Sequence, residues 1–219
     1  MDYMQRGGPL MWLILFCSVV AVAIFAERIV YFHRASINVT EFLRGLANLI
    51  GRRNIAEALQ ECAGAPGPVA RVLHAALLRH DESRAELRQI VQEAGQLEVP
   101  KLERNLAVLS TIAFVTPLIG LLGTVVGLID AFVAISTHNG YASSTDISSG
   151  VYQSLLTTAA GLVVAIPAAV AYSYLSARVN ALLHDMERAG IEIVHLIVEK
   201  REAGAEIIDF EARRKLSAE

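Results

Sequence analysis

LAVLSTIAFVTPLIGLLGTVVGLI (residues 106–129) and VYQSLLTTAAGLVVAIPAAVAYSY (residues 151–174) decide how this chain folds. Residues 106–177 contain no Lys and no Arg, and their carboxylates are Asp130 and Asp146, which bracket a short polar hairpin at residues 138–147. Each apolar run exceeds the ~20 residues that cross a bilayer as helix. The pair predicts two spanning helices joined by a tight, uncharged turn.

The positions of the polar atoms narrow this further. At about 100° per residue, Ala113, Thr116, Gly120, Gly123, Thr124, Gly127 and Ala131 share one stripe of the first helix. Phe114, Leu118, Leu121, Leu122, Val125 and Ile129 take the other side. On the second helix Gly150, Gln153, Ser154, Thr157, Thr158, Gly161, Ala165 and Ala168 align in the same way. Inside lipid, helices associate through close van der Waals packing, so small residues mark where backbones meet. By that reading both stripes are helix–helix seams. Thr, Ser and Gln outnumber what packing alone requires, and hydroxyls and an amide at membrane depth need partners or water. A water-accessible, ion-conducting lumen is the competing reading, and spacing leaves both open.

The two segments TPLIGLLGTVVGLIDAF (residues 116–132) and SSGVYQSLLTTAAGLVVAIPA (residues 148–168) resemble the ExbB/TolQ/MotA proton-channel family, and ExbB in particular. The resemblance covers nearly the whole chain: an early span, a helical insert, then the paired spans.

The remaining sequence fits that order. Hydrophobic residues make up 54% of the 219, and mean hydropathy is +0.45, high for a soluble domain. A net charge of −3 gives no pointer to nucleic acid. Cys17 and Cys62 cannot make a disulfide framework. PLMWLILFCSVVAVAIFA (residues 9–26) is the first apolar run, closed by Glu27 and Arg28, with Trp12 and Tyr31 placed as interfacial anchors. It is longer than the apolar core of a signal peptide and no small-residue cleavage site follows before Glu27, so a retained span is expected. Residues 33–104 carry ten of the nineteen basic residues, nearly balanced by acids, with apolar positions at helical spacing. A helix is expected after a cap at Thr40, another around residues 55–62, a break at residues 64–68 and a capping box at Ser83 and Glu86. A further break is expected at Val99-Pro100, with a new helix running from there into the second span. Beyond Arg178 the apolar pattern continues among charges, so the last helix should project past the membrane, weakest at Gly190. It leads to a charged tail holding Arg213-Arg214-Lys215.

The fold class is therefore an all-α integral membrane protein with three transmembrane helices, a helical cytoplasmic insert and long helices projecting into the cytoplasm. The segments are 1–8 outside, 9–32 spanning, 33–104 inside, 105–136 spanning, 137–147 outside, 148–177 spanning and 178–219 inside. Orientation follows from the basic residues: ten lie in residues 33–104, seven after residue 177 and none in the hairpin. No histidine lies inside a span, which disfavours an intramembrane protease, and His33, His74 and His80 lack metal-ligand spacing. No enzyme activity, metal or cofactor is expected. A structural scaffold would keep the small seams without conducting ions.

The resemblance implies more than the residues alone. It implies a homopentamer in the bacterial inner membrane, a pore lined by the second and third spans, and a peripheral first span. It also implies an ExbD- or TolR-like single-span partner whose aspartate exchanges protons, the coupling ion, and a TonB-like or TolA-like client. By position in GLLGTVVG and LLTTAAGL, Thr124 and Thr158 match the family's pore threonines. Gln153, Thr157, Ser154 and Thr116 join them as expected pore-lining residues, with Gly120, Gly123, Gly127 and Gly161 as packing positions. From their places near the outer helix ends, Asp130 and Asp146 read either as an outer entry or as solvated helix-end carboxylates, and Pro117 and Pro167 mark kinks. Gln153 departs from the family, in which many ExbB and TolQ proteins carry Glu. An amide orients water but cannot titrate, so a titrating carboxylate at that depth must come from the partner.

Overall fold

The computed structural model describes residues 8–52, 54–137 and 144–216. The regular elements among them are α-helices: α1 Gly8–Ala35, α2 Val39–Gly51, α3 Ile55–Gly64, α4 Pro68–Leu78, α5 Arg84–Glu103, α6 Leu106–Thr137 and α7 Ser144–Leu216. Among the described residues, three helices are long and apolar enough to cross a membrane, and these stretches start at Gly8, Leu106 and Gly150. Of the expected hairpin at residues 138–147, residues 138–143 lie outside the described set, as do the first seven residues, while residues 144–147 already belong to α7. The side chains of Arg213, Arg214 and Lys215 also lie outside the described set.

The chain divides into two compact units. The first comprises Met1–Val30 and Arg104–Ala177, and it holds the three apolar helical stretches. The second comprises Tyr31–Glu103 and Arg178–Glu219.

In the first unit, α1 buries Ile14, Ala21, Ile24 and Arg28, a row at helical spacing, and exposes Trp12, Phe16, Val19 and Val22. Residues Leu109, Thr116, Ala131, Ser154, Thr157, Ala165, Ala168 and Leu175 are buried on α6 and α7, while the large apolar side chains Phe114, Leu121, Val163 and Val170 face outward. This inverts the arrangement of a water-soluble bundle, and lipid or neighbouring protein is the solvent such a surface requires.

In the second unit the short helices pack in sequence, α2 on α3, α3 on α4 and α4 on α5. Buried Leu46, Leu73, Leu77, Leu87, Ile193 and Val194 form its apolar interior. Asn38 caps α2 and Asn54 caps α3, each accepting from the amide three residues on. The cap of α2 is thus Asn38 rather than Thr40, because an asparagine side chain outside the helix reaches the orphan amide that Thr40, already helical, cannot. Ser83 and Glu86 make the reciprocal capping box of α5. Gly67, at φ +102°, leads into Pro68 of α4, and a Cβ there would collide with the Ala35 carbonyl.

Two expected boundaries move. α5 continues through Pro100 to Glu103. The carbonyl that Pro100 leaves without a donor belongs to Gln96, an exposed residue, where the lost bond costs less than it would in a buried segment. The break falls instead at Arg104–Asn105, where Asn105 takes φ +63°, a conformation asparagine tolerates better than most residues. Gly190 is no weak point either. A Cβ there would clash with Val91 of α5, so the glycine permits close packing inside an uninterrupted α7.

Candidate functional site

The α6–α7 hairpin is zipped together by its small residues. A Cβ on Gly120 would stand 3.1 Å from the Thr157 carbonyl oxygen and 3.1 Å from the Thr158 Cα. One on Gly127 would stand 2.8 Å from the Gly150 carbonyl oxygen, and one on Gly161 would stand 2.9 Å from the Thr116 carbonyl oxygen. Gly123 faces Thr157 at similar range, with a Cβ there 2.8 Å from the Thr157 Cβ. These pairs run in opposite directions along the two helices, as an antiparallel pair requires. Bulk at any of them would force the backbones apart.

The hydroxyls in this seam are spent locally. Thr116 is fully buried and donates to the Ile112 carbonyl at 2.6 Å. Ser154 donates to Val151 at 2.7 Å and Thr157 to Ser154 at 2.9 Å, and both are 2% exposed. Such back-bonds satisfy a buried hydroxyl without a partner helix. In the single chain these three therefore line the seam between α6 and α7. They face no open channel within it.

Thr124 and Thr158 differ from them, since both are only partly buried. Thr124 donates to the Leu121 carbonyl of its own helix. Thr158 reaches across the seam and donates to the Gly120 carbonyl at 2.9 Å, with its own Ser154 carbonyl at 3.2 Å as the alternative acceptor.

Gln153 sits elsewhere. Its amide nitrogen lies 3.0 Å from where a Cβ on Gly8 would be, so it abuts the start of α1. Lower on the same side, Val22 and Phe25 of α1 and Val164, Pro167 and Ala171 of α7 border an apolar groove of about 810 Å³. At about 100° per residue, Gln153 and Thr158 are about 140° apart around α7, one on each flank of the seam. Thr124 leaves the seam on α6 in the sense that, for antiparallel helices, carries it to the Thr158 flank. The structure thus brings Thr124 and Thr158 to one flank, opposite α1, and puts Gln153 on the α1 flank. A peripheral α1 and a pore-lining Gln153, both expected from sequence, do not fit together in this arrangement.

Asp130 is an exposed residue of α6, and Asp146 belongs to the first turn of α7, its side chain outside the described set. Two contacts, Asn105 with Glu27 and Arg71 with Glu98, had no sequence signal because they join distant segments. The Asn105 amide donates to Glu27 at 3.0 Å, tying the start of α6 to the end of α1's apolar stretch. Arg28, beside Glu27 at 3.9 Å, is 2% exposed. In the second unit Glu98 is buried between Arg71 and Lys101, and the Lys101 ammonium donates to it at 2.7 Å. Burial pushes the Glu98 carboxyl up, but its bonds to Arg71 and Lys101 outweigh this and hold it below the usual carboxylate range. The bond to Glu98 raises Arg71 in turn. Burial, with Glu61 adding to it, pushes the Cys62 thiol up to about 12. Among the described residues no group of three or more His, Cys, Asp or Glu is placed to hold a metal ion.

Three spanning helices, two of them locked through glycines and hydroxyls, define an all-α, multi-pass membrane protein. A model of the MotA/TolQ/ExbB proton channel family matches residues 65–188. The chain belongs to that family, whose members are channel and transport subunits. It is 30% identical over 189 residues to the biopolymer transport protein exbB1 of Vibrio cholerae, covering 78% of this chain and 77% of the relative. It is 26% identical over 206 residues to a biopolymer transport protein ExbB homolog of Methanothermobacter thermautotrophicus, covering 91% and 73%. It is 44% identical over 88 residues to the Tol-Pal system protein TolQ of Haemophilus influenzae, covering 40% and 38%. The chain is thus a proton-channel subunit of an energy-transducing membrane system.

Proposed function

We propose that this chain is the inner-membrane stator subunit of a proton-driven motor, assembled as a homopentamer with α6 and α7 around a central lumen and α1 outside. Its N-terminus and the residue 138–147 hairpin are periplasmic, and its insert and C-terminal tail are cytoplasmic. An ExbD-like single-span partner occupies the lumen and brings the titrating carboxylate, and protons are the coupling ion. No other cofactor takes part. The work goes to a TonB-like client and so to TonB-dependent transport.

One observation carries this reading: Thr158 donates across the α6–α7 seam while Gln153 abuts α1, and at about 100° per residue Thr124 falls on the Thr158 flank, away from α1. Those two hydroxyls then line the lumen, while Thr116, Ser154 and Thr157 hold the wall together behind them. Gln153 leaves the proton path and fixes α1 to the wall. The test is co-purification of a single-span protein with an intramembrane Asp, followed by energy-coupled uptake with Thr158→Val. Loss of uptake at normal complex abundance supports the reading, and full uptake removes it.

A TolQ-like role with a TolA-like client is the second reading. It is favoured by the 44% identity to the Haemophilus influenzae TolQ over 88 residues. Uptake of a TonB-dependent substrate against outer-membrane integrity in a deletion strain separates the two.

A further inference from the structure

The Thr158 hydroxyl has one proton, and in this structure that proton closes the α6–α7 hairpin by bonding the Gly120 carbonyl at 2.9 Å. The competing acceptor on its own helix, Ser154, is farther, at 3.2 Å. Both of these acceptors are neutral carbonyls. A carboxylate is a better one, since a hydrogen bond to an ionised acceptor is about twice as strong as a neutral one. A protonated carboxyl has no such advantage, and it can donate to the hydroxyl's free lone pair without disturbing its proton.

We infer that the Thr158 hydroxyl is a proton-state-dependent clasp: it bonds Gly120 while an acid beside it is protonated, and leaves Gly120 when that acid ionises. The contact it releases lies within the close seam, since a Cβ on Gly120 would stand 3.1 Å from the Thr157 carbonyl oxygen and 3.1 Å from the Thr158 Cα. Ionisation of a lumen acid is thereby converted into a change between α6 and α7 of the same chain. Thr158 and the Gly120 carbonyl are the positioning groups. This rests on the channel reading only for the origin of the acid; the clasp itself is a property of the single chain.

Among the described residues of the first unit no charge already plays that part. Within that unit the titratable side chains on these helices are Asp130 of α6, Tyr152, Tyr172 and Tyr174 of α7, and Cys17, Glu27 and Arg28 of α1, with Asp146 at the start of α7. The bonds of Thr158 go to Gly120 and Ser154 and to none of these.

The test supplies the acid in the chain itself. Leu155, 62% exposed and one turn before Thr158 on the side away from Gln153, is replaced in Leu155→Glu. The full-length protein in lipid vesicles is labelled with carbonyl-¹³C glycine and ¹⁵N leucine. The Gly120–Leu121 pair is assigned by its disappearance in Leu121→Ile. In a parallel sample labelled with δ-¹³C glutamate, the carboxyl signal present in Leu155→Glu and absent from the parent reports the introduced group's protonation across a pH series. We expect the Gly120 carbonyl to hold still in the unaltered protein. In Leu155→Glu it should move upfield as the carboxyl ionises, towards its position in Thr158→Val, and Leu155→Glu/Thr158→Ser should keep that movement. A Gly120 signal that stays fixed while the carboxyl titrates overturns the clasp. So does an equal movement in Leu155→Glu/Thr158→Val. Leu162→Glu, one turn after Thr158, repeats the test if Leu155→Glu does not insert. Failure of the channel reading would show instead as unimpaired uptake in Thr158→Val, and it leaves this signal untouched.

Discussion

Gly123 of α6 and Thr157 of α7 meet so closely that a Cβ on the glycine would lie 2.8 Å from the threonine Cβ, with the threonine hydroxyl nearer still. This contact holds the hairpin's two helices at backbone distance, and Thr157, 2% exposed, has nowhere to retreat. Overpacking a filled interior costs about 1–3 kcal/mol. We therefore expect Gly123→Leu to insert normally but lose the α6–α7 packing, seen as dissociated oligomer in native mass spectrometry. Gly45→Ala is the control, because nothing lies within 4 Å of a Cβ there. It should gain about 0.5–1 kcal/mol from helix propensity. An unaltered oligomer in Gly123→Leu would contradict the close seam.

Glu98 makes the second unit's stability depend on pH in a definite direction. Its carboxyl is held below the ordinary range, so its contribution is fully present above the unfolded-state carboxylate pKa and is lost as pH falls through the lowered value. Arg71 is 47% and Lys101 58% exposed, so solvent screens both partners. Removing the carboxylate in Glu98→Gln should then cost about 1.5–3 kcal/mol rather than the larger figure for a fully buried pair. Urea unfolding at neutral and acidic pH checks this: the variant should lie below the parent at pH 7 and converge with it under acid.

Cys62 is 2% exposed, with its thiol pushed up to about 12. Thiolate is the reactive form, so the folded protein should resist maleimide at Cys62 at pH 7 and react once α3 is unfolded. Rapid labelling of native Cys62, mapped by peptide mass, would contradict the burial.

Much of the α6–α7 seam was legible in the sequence. Glycine and hydroxyl residues recur at helical spacing on both runs, and those residues meet in the structure. The division of labour among them was not legible. Thr157 and Thr158 are neighbours in one stripe, yet Thr157 is buried in the seam and bonds within its own helix, while Thr158 stands at the edge and reaches across to Gly120. Gln153 belongs to the same stripe by periodicity but abuts Gly8. A stripe's two flanks become distinct only once the third helix is placed, and no residue pattern within α6 or α7 encodes where α1 lies. Pro100 misled for a different reason: its cost depends on whether the freed Gln96 carbonyl meets water, which composition does not reveal.

Orientation is open to a direct check. In a background lacking Cys17 and Cys62, thiols introduced at Asn139 and Arg52 should label differently in intact cells. We expect Asn139→Cys to react with an impermeant reagent from outside and Arg52→Cys only after permeabilisation, following the basic-residue asymmetry. External labelling of Arg52→Cys would reverse the topology.

The central claim is that Thr124 and Thr158 face the proton path while Gln153 does not. Thr→Val keeps shape and removes the hydroxyl, and a hydrogen bond to a charged group is worth about 1.5–3 kcal/mol. At 1.36 kcal/mol per pKa unit, that displaces a protonation equilibrium by about one to two units. The measurement is proton-motive-force-dependent uptake in cells carrying Thr124→Val/Thr158→Val, normalised to assembled complex, beside Gln153→Ala. We expect the double variant to assemble and lose most coupled activity, with Gln153→Ala retaining far more. Full activity in the double variant at normal complex abundance would contradict the claim and leave both threonines as packing residues.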